Sequence, residues 1–142
     1  MITVSKATDY ATLFLTQLAM RPQRKWSVSA ASQELFIPRR FLANIVHKLA
    51  QRHLVETAKG TGGGVTLKRD PDDLSILEIV ELFDGQVGLT TCALGQSCGE
   101  REKRCTTREF WMSLSEELHD QLEETTLRDV DSRLQRGDVP VL

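Results

Sequence analysis

The sequence lacks the features that mark membrane and secreted proteins. The 142-residue chain contains no run of 18 apolar residues that could span a bilayer. Its N-terminus also lacks the basic-then-apolar pattern of a secretory signal. About 40% of the residues are hydrophobic, which is enough for a real core. We therefore expect a cytoplasmic protein in a reducing compartment, without a membrane partner, built as one domain or as a small domain with a dimerisation arm.

Cysteine is scarce and confined to one segment. Cys92, Cys98 and Cys105 lie within fourteen residues of a polar, glycine-containing stretch without helical or strand periodicity. Three cysteines do not pair evenly into disulfides, and a closed four-thiolate zinc site would lack one ligand. Thiolates gathered on a loop suit zinc, copper(I) or iron in a cluster. The segment predicts a metal or cluster site that takes a fourth ligand from elsewhere or keeps one position open; a redox thiol pair or unremarkable loop cysteines are the alternatives.

Motifs of nucleotide-dependent enzymes are missing. The glycine-rich run 59–64 reads Lys-Gly-Thr-Gly-Gly-Gly. It contains no Gly-Lys-Ser/Thr and no helix is predicted after it, which excludes a P-loop. A dinucleotide fingerprint also fails, because Val65 stands where its last glycine belongs. The chain carries no second cofactor motif that an electron carrier or redox enzyme would need, and we predict that it is not an enzyme.

The small net charge of −2 conceals a strong asymmetry. Residues 1–70 contain eleven Lys/Arg and four Asp/Glu, a balance of +7. Residues 71–142 contain seven Lys/Arg and sixteen Asp/Glu, a balance of −9. A basic first half beside an acidic second half predicts a polyanion-binding module joined to a second functional part.

The first half has the element order of a helix-turn-helix. Apolar spacing predicts a helix over 6–20 with Ser5 as its cap, a short strand over 27–29, a helix over 30–35 capped by Ser29, and a helix over 38–51 that begins with Pro38. In the last helix, one face is apolar: Leu42, Ile45, Val46 and Leu49. The other face carries most of the polar and basic side chains: Arg39, Arg40, Ala43, Asn44, His47 and Gln51. Arginine can bind guanine and asparagine adenine in the major groove, whereas the alternative is an ordinary solvated helix.

A glycine-rich hairpin follows this helix. Strands are predicted over 54–58 and 65–67, and the glycines between them permit a tight turn and a close backbone approach to a partner. A hairpin directly after a helix-turn-helix is the wing of a winged helix. We therefore predict that duplex DNA is contacted by the helix and wing residues Arg39, Arg40, Asn44, His47, Lys59, Gly62, Gly63 and Lys68, with Arg69 as a further phosphate contact.

The second half combines the cysteine segment with helices. Asp70-Pro71-Asp72-Asp73 reads as a linker. Capping boxes predict helices starting at Ser75 with Glu78, at Thr106 with Glu109 and at Thr126 with Asp129, while residues 84–105 form the cysteine loop and the tail from Gly137 is loose. The long helix over 106–124 has a narrow apolar stripe suited to pairing with a second copy, with packing on its own domain as the alternative: Trp111, Leu114, Leu118 and Leu122.

The order of these parts resembles the bacterial winged-helix, iron–sulfur-sensing regulators that include IscR and NsrR. The resemblance runs from about Ile2 to about Val130. It is carried by Thr8-Asp9-Tyr10-Ala11, the run 59–64, the three-cysteine loop, and Phe110-Trp111. The first of these, continued by Thr12 and Leu15-Thr16, looks most like the branch that regulates the SUF cluster-assembly operon. The resemblance implies a mainly α fold with a small β-hairpin wing: a winged helix-turn-helix over 1–70, and a cluster-binding loop with dimerisation helices over 71–142.

The cysteine loop departs from the pattern of IscR. Its cysteines are separated by five and then six residues, whereas IscR has five and five. Arg108 stands where IscR places a histidine ligand, and a guanidinium cannot deprotonate to bind iron. NsrR-like members use an aspartate of the partner subunit's first helix, and Asp9 occupies the matching position. A favourable charge in the first helical turn is its alternative role.

The resemblance implies a homodimeric transcriptional repressor that controls genes of iron–sulfur cluster assembly. Its ligand would be a 4Fe–4S cluster in preference to 2Fe–2S, held by the three cysteines, with oxygen or nitric oxide as a possible signal. Two winged helices would bind a pseudo-palindromic operator. The alternatives are a nitric-oxide sensor of the same family, a cluster-free thiol or zinc sensor that binds DNA, and, in a different class, an iron–sulfur electron carrier.

Overall fold

The computed structural model describes residues 2–137, and the predicted mainly helical chain with a small β-hairpin is confirmed. The elements are, in order, α1 (Lys6–Met20), α2 (Val28–Leu35), α3 (Arg39–Gln51), β1 (Val55–Ala58), β2 (Gly64–Leu67), α4 (Ile76–Asp84), a 3-10 helix (Gly99–Arg104), α5 (Arg108–Glu124) and α6 (Leu127–Arg136). No helix within residues 2–137 is long and apolar enough to cross a membrane. Most of the tail that was expected to be loose, residues 138–142, lies outside the described residues.

One hydrophobic core joins the two halves of the chain. Phe14 and Leu15 of α1 are fully buried in it, and so are Leu74, Ile79 and Leu127 from the second half. Helices α4 and α6 both pack against α1. The apolar face predicted for α3 is confirmed, because its four apolar residues are all buried. The division at residue 70 stays a prediction about function, since the core itself runs across it.

The helix-turn-helix is formed by α2 and α3, but the expected strand over 27–29 is wrong. Ser27, not Ser29, caps α2, and its hydroxyl accepts a hydrogen bond from the Ala30 backbone at 3.0 Å. The helix therefore starts at Val28 and includes residues that were expected in the strand. The cap at Ser27 favours the helix because it satisfies a free N–H group of the first turn. Pro38 also precedes α3 as its N-terminal cap residue and does not occupy the first helical position.

The wing is a two-stranded antiparallel hairpin whose register pairs Val55 with Leu67 and Ala58 with Gly64. Trp26 extends it through an isolated bridge to Val65, with N–O distances of 2.7 and 3.3 Å. The Trp26 ring is 1% exposed and is covered by the Arg24 guanidinium, which lies 3.6 Å from the ring centroid. These contacts attach the wing to the rigid body of the domain.

The helices of the second half begin partly as expected. The capping box of Thr126 and Asp129 at the start of α6 is confirmed in both directions. At α4 the Ser75 hydroxyl accepts the Glu78 amide, while the Glu78 carboxylate binds Arg69 at 3.0 Å. The expected box of Thr106 with Glu109 is wrong, because α5 starts after Thr107 without a side-chain cap. The segment over 84–105 is a loop with turns, yet it also contains the 3-10 helix, which its polar composition had not indicated.

Candidate DNA-binding surface and cysteine cavity

Helix α3 presents its polar face to solvent. Arg39, Arg40, Asn44 and His47 are all exposed, and the buried apolar side holds the helix against α1 and α2. The first turn of α3 contains no acidic residue, so the positive end of the helix dipole and the two arginines act in the same direction. This surface has the charge and the donor groups that phosphate and guanine edges require. The roles of individual side chains on DNA stay predictions.

The glycines of the wing have different physical causes. Gly62 has φ of +78°, a left-handed conformation that favours glycine, and open space where a side chain would lie. Gly63 has no such backbone requirement, but a Cβ atom there would lie 2.3 Å from the Ala58 carbonyl oxygen. Lys59 and Lys68 are both exposed. Lys59 directly follows β1 at the start of the hairpin loop, and Lys68 directly follows β2. Gly63 is therefore first of all a packing requirement, and the DNA contacts of the wing stay predictions.

The cysteine segment is anchored to α5 by Ser115, a residue that the sequence had not singled out. Ser115 is 5% exposed, and its hydroxyl accepts a hydrogen bond from the Leu89 amide at 3.0 Å while donating to the Trp111 carbonyl oxygen at 2.7 Å. The contact spans 26 residues of sequence. A serine within a helix usually bonds its own backbone, so no local signal identified this cross-link. The start of the cysteine segment is therefore fixed to the helix that follows it.

The structure brings the three cysteines to one cavity. Cys98 and Cys105 cap the two ends of the 3-10 helix, and Cys92 lies in the turn that precedes it. All three thiols are free, half-buried, and line a cavity of about 530 Å³. The remaining walls are polar and basic, with one aromatic residue: Thr90, Thr91, Thr106, Thr107, Arg101, Arg104, Arg108 and Trp111. The cavity thus combines soft donors with positive charge, which fits an anionic thiolate-bound cluster.

Hydrogen bonds and an ion pair connect polar groups of the cavity wall. The Thr107 hydroxyl lies 3.6 Å from the Cys105 sulfur, and this hydrogen bond lowers the pKa of the Cys105 thiol. The Thr90 hydroxyl lies 3.1 Å from the Cys92 sulfur. Arg108 forms an ion pair with Glu102, and this pairing lowers the pKa of the Glu102 carboxyl. Arg108 is therefore a charge partner in the cavity wall and not a metal donor.

The thiol geometry is wider than a single-ion site. Within residues 2–137, His119, Asp120 and Glu123 are the only three His, Cys or acidic groups whose ligand atoms lie within 4.8 Å of one another. The three cysteine sulfurs do not meet this distance, whereas thiolates on one tetrahedral zinc lie about 3.8 Å apart, given Zn–S bonds of about 2.3 Å. The His119 group is an exposed acidic surface of α5 and nothing else indicates an ion there.

Asp9 does not line the cysteine cavity of its own chain. It is exposed in the first turn of α1. The N-terminal end of α1 is tied to the end of α4, because the Ser5 amide donates to the Asp84 carboxylate at 2.9 Å. This places the start of α1 beside the origin of the cysteine segment. Contact between Asp9 and the thiols is not made within the described chain, and its supply by a second subunit stays a prediction.

Helix α5 leaves much of its predicted apolar stripe uncovered. Trp111 and Leu114 remain 37% and 36% exposed, while Leu118 and Leu122 are partly buried. Phe110 is 60% exposed and packs edge-to-face on Trp111, with ring centroids 5.1 Å apart. Phe110 had been noted only for the resemblance and not as an interface residue. Its side chain makes the exposed apolar surface larger than the heptad-like spacing of leucines indicates.

These elements define the class of protein: a winged helix-turn-helix with a cysteine-bearing segment and a further long helix. The chain belongs to the Rrf2 family, whose description is iron-dependent transcriptional regulator and whose family model matches residues 4–132. It is therefore a DNA-binding transcriptional regulator. The resemblance inferred from the sequence is confirmed, since relatives named NsrR and IscR are among the similar proteins.

Individual similarities extend over most of the chain. An HTH-type transcriptional regulator of Aquifex aeolicus is 32% identical over 128 residues, which are 89% of both chains. NsrR of Bacillus subtilis is 33% identical over 103 residues, 65% of this chain and 69% of the relative. The structure of CymR, the global cysteine regulator of B. subtilis, has a TM-score of 0.77 at 22% identity and covers 93% of this chain and 98% of its own. The last similarity concerns the fold alone.

Proposed function

We propose that this protein is a homodimeric, iron–sulfur cluster-binding repressor that controls genes of cluster assembly according to cluster status or redox conditions. The observation that carries the proposal is the single cavity in which Cys92, Cys98 and Cys105 meet three arginine side chains. When bound, a cluster supplies a centre whose integrity depends on oxygen, nitric oxide and iron supply. The residues of the chain bind it, balance its charge and connect it to the DNA-binding half.

We propose a four-iron cluster in preference to a two-iron cluster. Each iron of a four-iron cluster takes one protein donor, so the three cysteines leave one iron for a further ligand. The cysteine sulfurs are spread more widely than donors on a single metal ion, which supports a cluster of several irons. Asp9 of the partner subunit is the proposed fourth donor, because Arg108 is bound to Glu102 and cannot ligate. A hard carboxylate is the weakest of the four donors and the one that a signal molecule would displace.

The link from cavity to DNA runs through α5. Ser115 fixes the start of the cysteine segment to this helix, and Cys105 lies two residues before Thr107, where the helix is capped. Any movement of the segment that follows ligand binding is thus passed to the helix that we assign to the dimer. A shift between two copies of α5 changes the separation of the two α3 helices, which selects or rejects operator half-sites.

Anaerobic purification with iron, sulfide and absorbance analysis tests the cluster directly. We expect a brown protein with iron and sulfide, loss of both in Cys98→Ala, and retention in Glu100→Gln, which removes a charge on the same 3-10 helix without removing a thiol. Asp9→Ala should keep the cluster but lose it faster under a fixed dose of oxygen. Decay equal to that of the wild type would remove Asp9 from the ligand set.

A cluster-free thiol sensor is the second candidate, since hydrogen bonding by Thr107 lowers the pKa of the Cys105 thiol and thereby favours its reactive thiolate. It predicts a colourless protein without sulfide, in which mild peroxide changes DNA affinity and Cys105→Ala abolishes that change. A brown protein whose affinity follows its cluster content contradicts this candidate.

A further inference from the structure

Phe36 has an unusual position in the turn between α2 and α3. It is 90% exposed, more than any other large hydrophobic residue that the structure describes. Its backbone is left-handed, with φ of 54° and ψ of 37°. Among the non-glycine residues that the structure describes, His53 is the only other one with a positive φ. A bulky side chain in this conformation is an outlier that calls for a functional explanation.

The turn itself explains the backbone but not the side chain. The Ile37 amide donates to the Ser32 carbonyl oxygen at 3.1 Å, and the Ser32 hydroxyl donates to the Ile37 carbonyl oxygen at 2.6 Å. This six-residue closure is the Schellman ending of a helix, which needs a left-handed residue and normally uses glycine. Phenylalanine strains the turn and exposes apolar surface to water. The two hydrogen bonds of the turn offset the backbone strain, but nothing in the free protein covers the ring, which is almost entirely exposed.

Phe36 lies next to the N-terminal end of α3. Pro38 follows two residues later as the cap of α3, and Arg39 and Arg40 form the first exposed residues of that helix. In a helix-turn-helix, the N-terminal end of the second helix enters the major groove. The arginines supply positive charge toward phosphates and guanine edges. The apolar group of the major groove is the C5-methyl of thymine, which phenylalanine side chains contact in other complexes.

We propose that Phe36 is a specificity-determining residue whose ring contacts a thymine methyl group in the operator, beside the bases reached from Arg39 and Arg40. The proposal rests on the DNA-binding function of the family and does not depend on the cluster. It predicts a preference for thymine at one position in each half-site.

Deoxyuridine tests the contact, because it differs from thymidine only by the missing methyl group. The wild-type protein first selects duplexes from a random library. It is used in whichever form, cluster-loaded or metal-free, binds DNA more tightly. Each thymine of the selected duplex is then replaced singly by deoxyuridine and the dissociation constant is measured. We expect about a fourfold loss at one position of each half-site, from the contribution of one buried methyl group.

Two variants and a matched control complete the experiment. Phe36→Gly should bind the thymine duplex more weakly and become insensitive to deoxyuridine, whereas Phe36→Leu should retain part of the discrimination. The melting temperature of Phe36→Gly should equal or exceed that of the wild type, because glycine removes the strain of the left-handed backbone at this position. Unfolding therefore does not explain the loss of DNA affinity. His53→Gly is the control, because it removes the backbone strain of the other left-handed residue, which lies just beyond the C-terminal end of α3. It should leave the effect of deoxyuridine on the dissociation constant unchanged.

Four outcomes would overturn the proposal. Unchanged operator affinity in Phe36→Gly shows that the ring contacts no DNA. An equal loss on operator and unrelated duplexes shows a backbone contact without base reading. A change in oligomeric state shows that Phe36 lies between two copies of the chain. Failure of the wild type to select any duplex refutes sequence-specific DNA reading altogether, which is distinct from failure at Phe36 alone.

Discussion

Replacing Phe110 with alanine should separate the proposed dimer into monomers at concentrations where the wild type is dimeric. Phe110 is 60% exposed at the start of α5 and forms one apolar surface with Trp111. Its ring packs on Trp111 but is mostly exposed, so its removal should not unfold the monomer. If α5 pairs with its copy, however, this is the side chain that gains most from being covered.

The size of the effect follows from the exposed area. An aromatic side chain buries about 200 Å² when fully covered, so the 60% that is exposed at Phe110 leaves about 120 Å² for a partner to cover. At about 25 cal/mol per Å², and after allowing for the area that alanine retains, each subunit loses about 2 kcal/mol. A symmetric dimer loses this twice, about 4 kcal/mol, which raises its dissociation constant about a thousandfold.

Sedimentation equilibrium of wild type and Phe110→Ala over nanomolar to micromolar concentrations measures this constant. Phe36→Gly is the control, because it removes an even more exposed ring from a surface assigned to DNA. It should leave the dimer unchanged. Equal association of Phe110→Ala and wild type, or a wild type that is monomeric at micromolar concentration, would refute the assignment of α5 to the dimer.

Three further predictions concern the wing and the cysteine segment. Gly63→Ala should lower both the melting temperature and DNA affinity, because the new Cβ atom would lie 2.3 Å from the Ala58 carbonyl oxygen; an unchanged melting temperature would contradict this geometry. In metal-free protein, Thr107→Val should shift the alkylation of Cys105, followed by mass spectrometry, to higher pH, because the hydroxyl that lowers the Cys105 pKa is gone. The thiolate forms above this pKa, so a shift to lower pH would contradict the prediction. Ser115→Ala leaves a partly buried amide without its acceptor and should reduce the free energy of unfolding by roughly 1–3 kcal/mol in urea. It should also hasten cluster loss.

Local signals predicted the helices and the hairpin well. The apolar spacing of α3 gave its buried face, and a Thr-x-x-Asp pattern gave the start of α6, because these effects act over three or four residues. At α2 the sequence offers two serines as caps, and the helix uses Ser27, which directly follows the bridge between Trp26 and Val65. That bridge joins residues far apart in sequence, so no local pattern could reveal it.

The candidate site was only partly predictable for the same reason. Cysteine spacing indicated a shared site, and all three thiols do line one cavity. The arginine-rich wall depends on the 3-10 helix, and the anchor at Ser115 depends on a contact across 26 residues. Phe36 lies between the predicted helices over 30–35 and 38–51, but only the folded chain shows its left-handed backbone and its 90% exposure.

The central claim is that the cysteine cavity controls DNA binding through its cluster, and one measurement tests it most directly. Fluorescence anisotropy with a duplex selected by the protein gives operator affinity, under anaerobic conditions, for cluster-loaded wild type, for the same preparation after cluster removal, and for Cys98→Ala. We predict that cluster removal changes the operator affinity of the wild type by about tenfold or more, which corresponds to a coupling free energy of about 1.4 kcal/mol, and that Cys98→Ala behaves as the cluster-free protein. Equal affinities in all three preparations would contradict it.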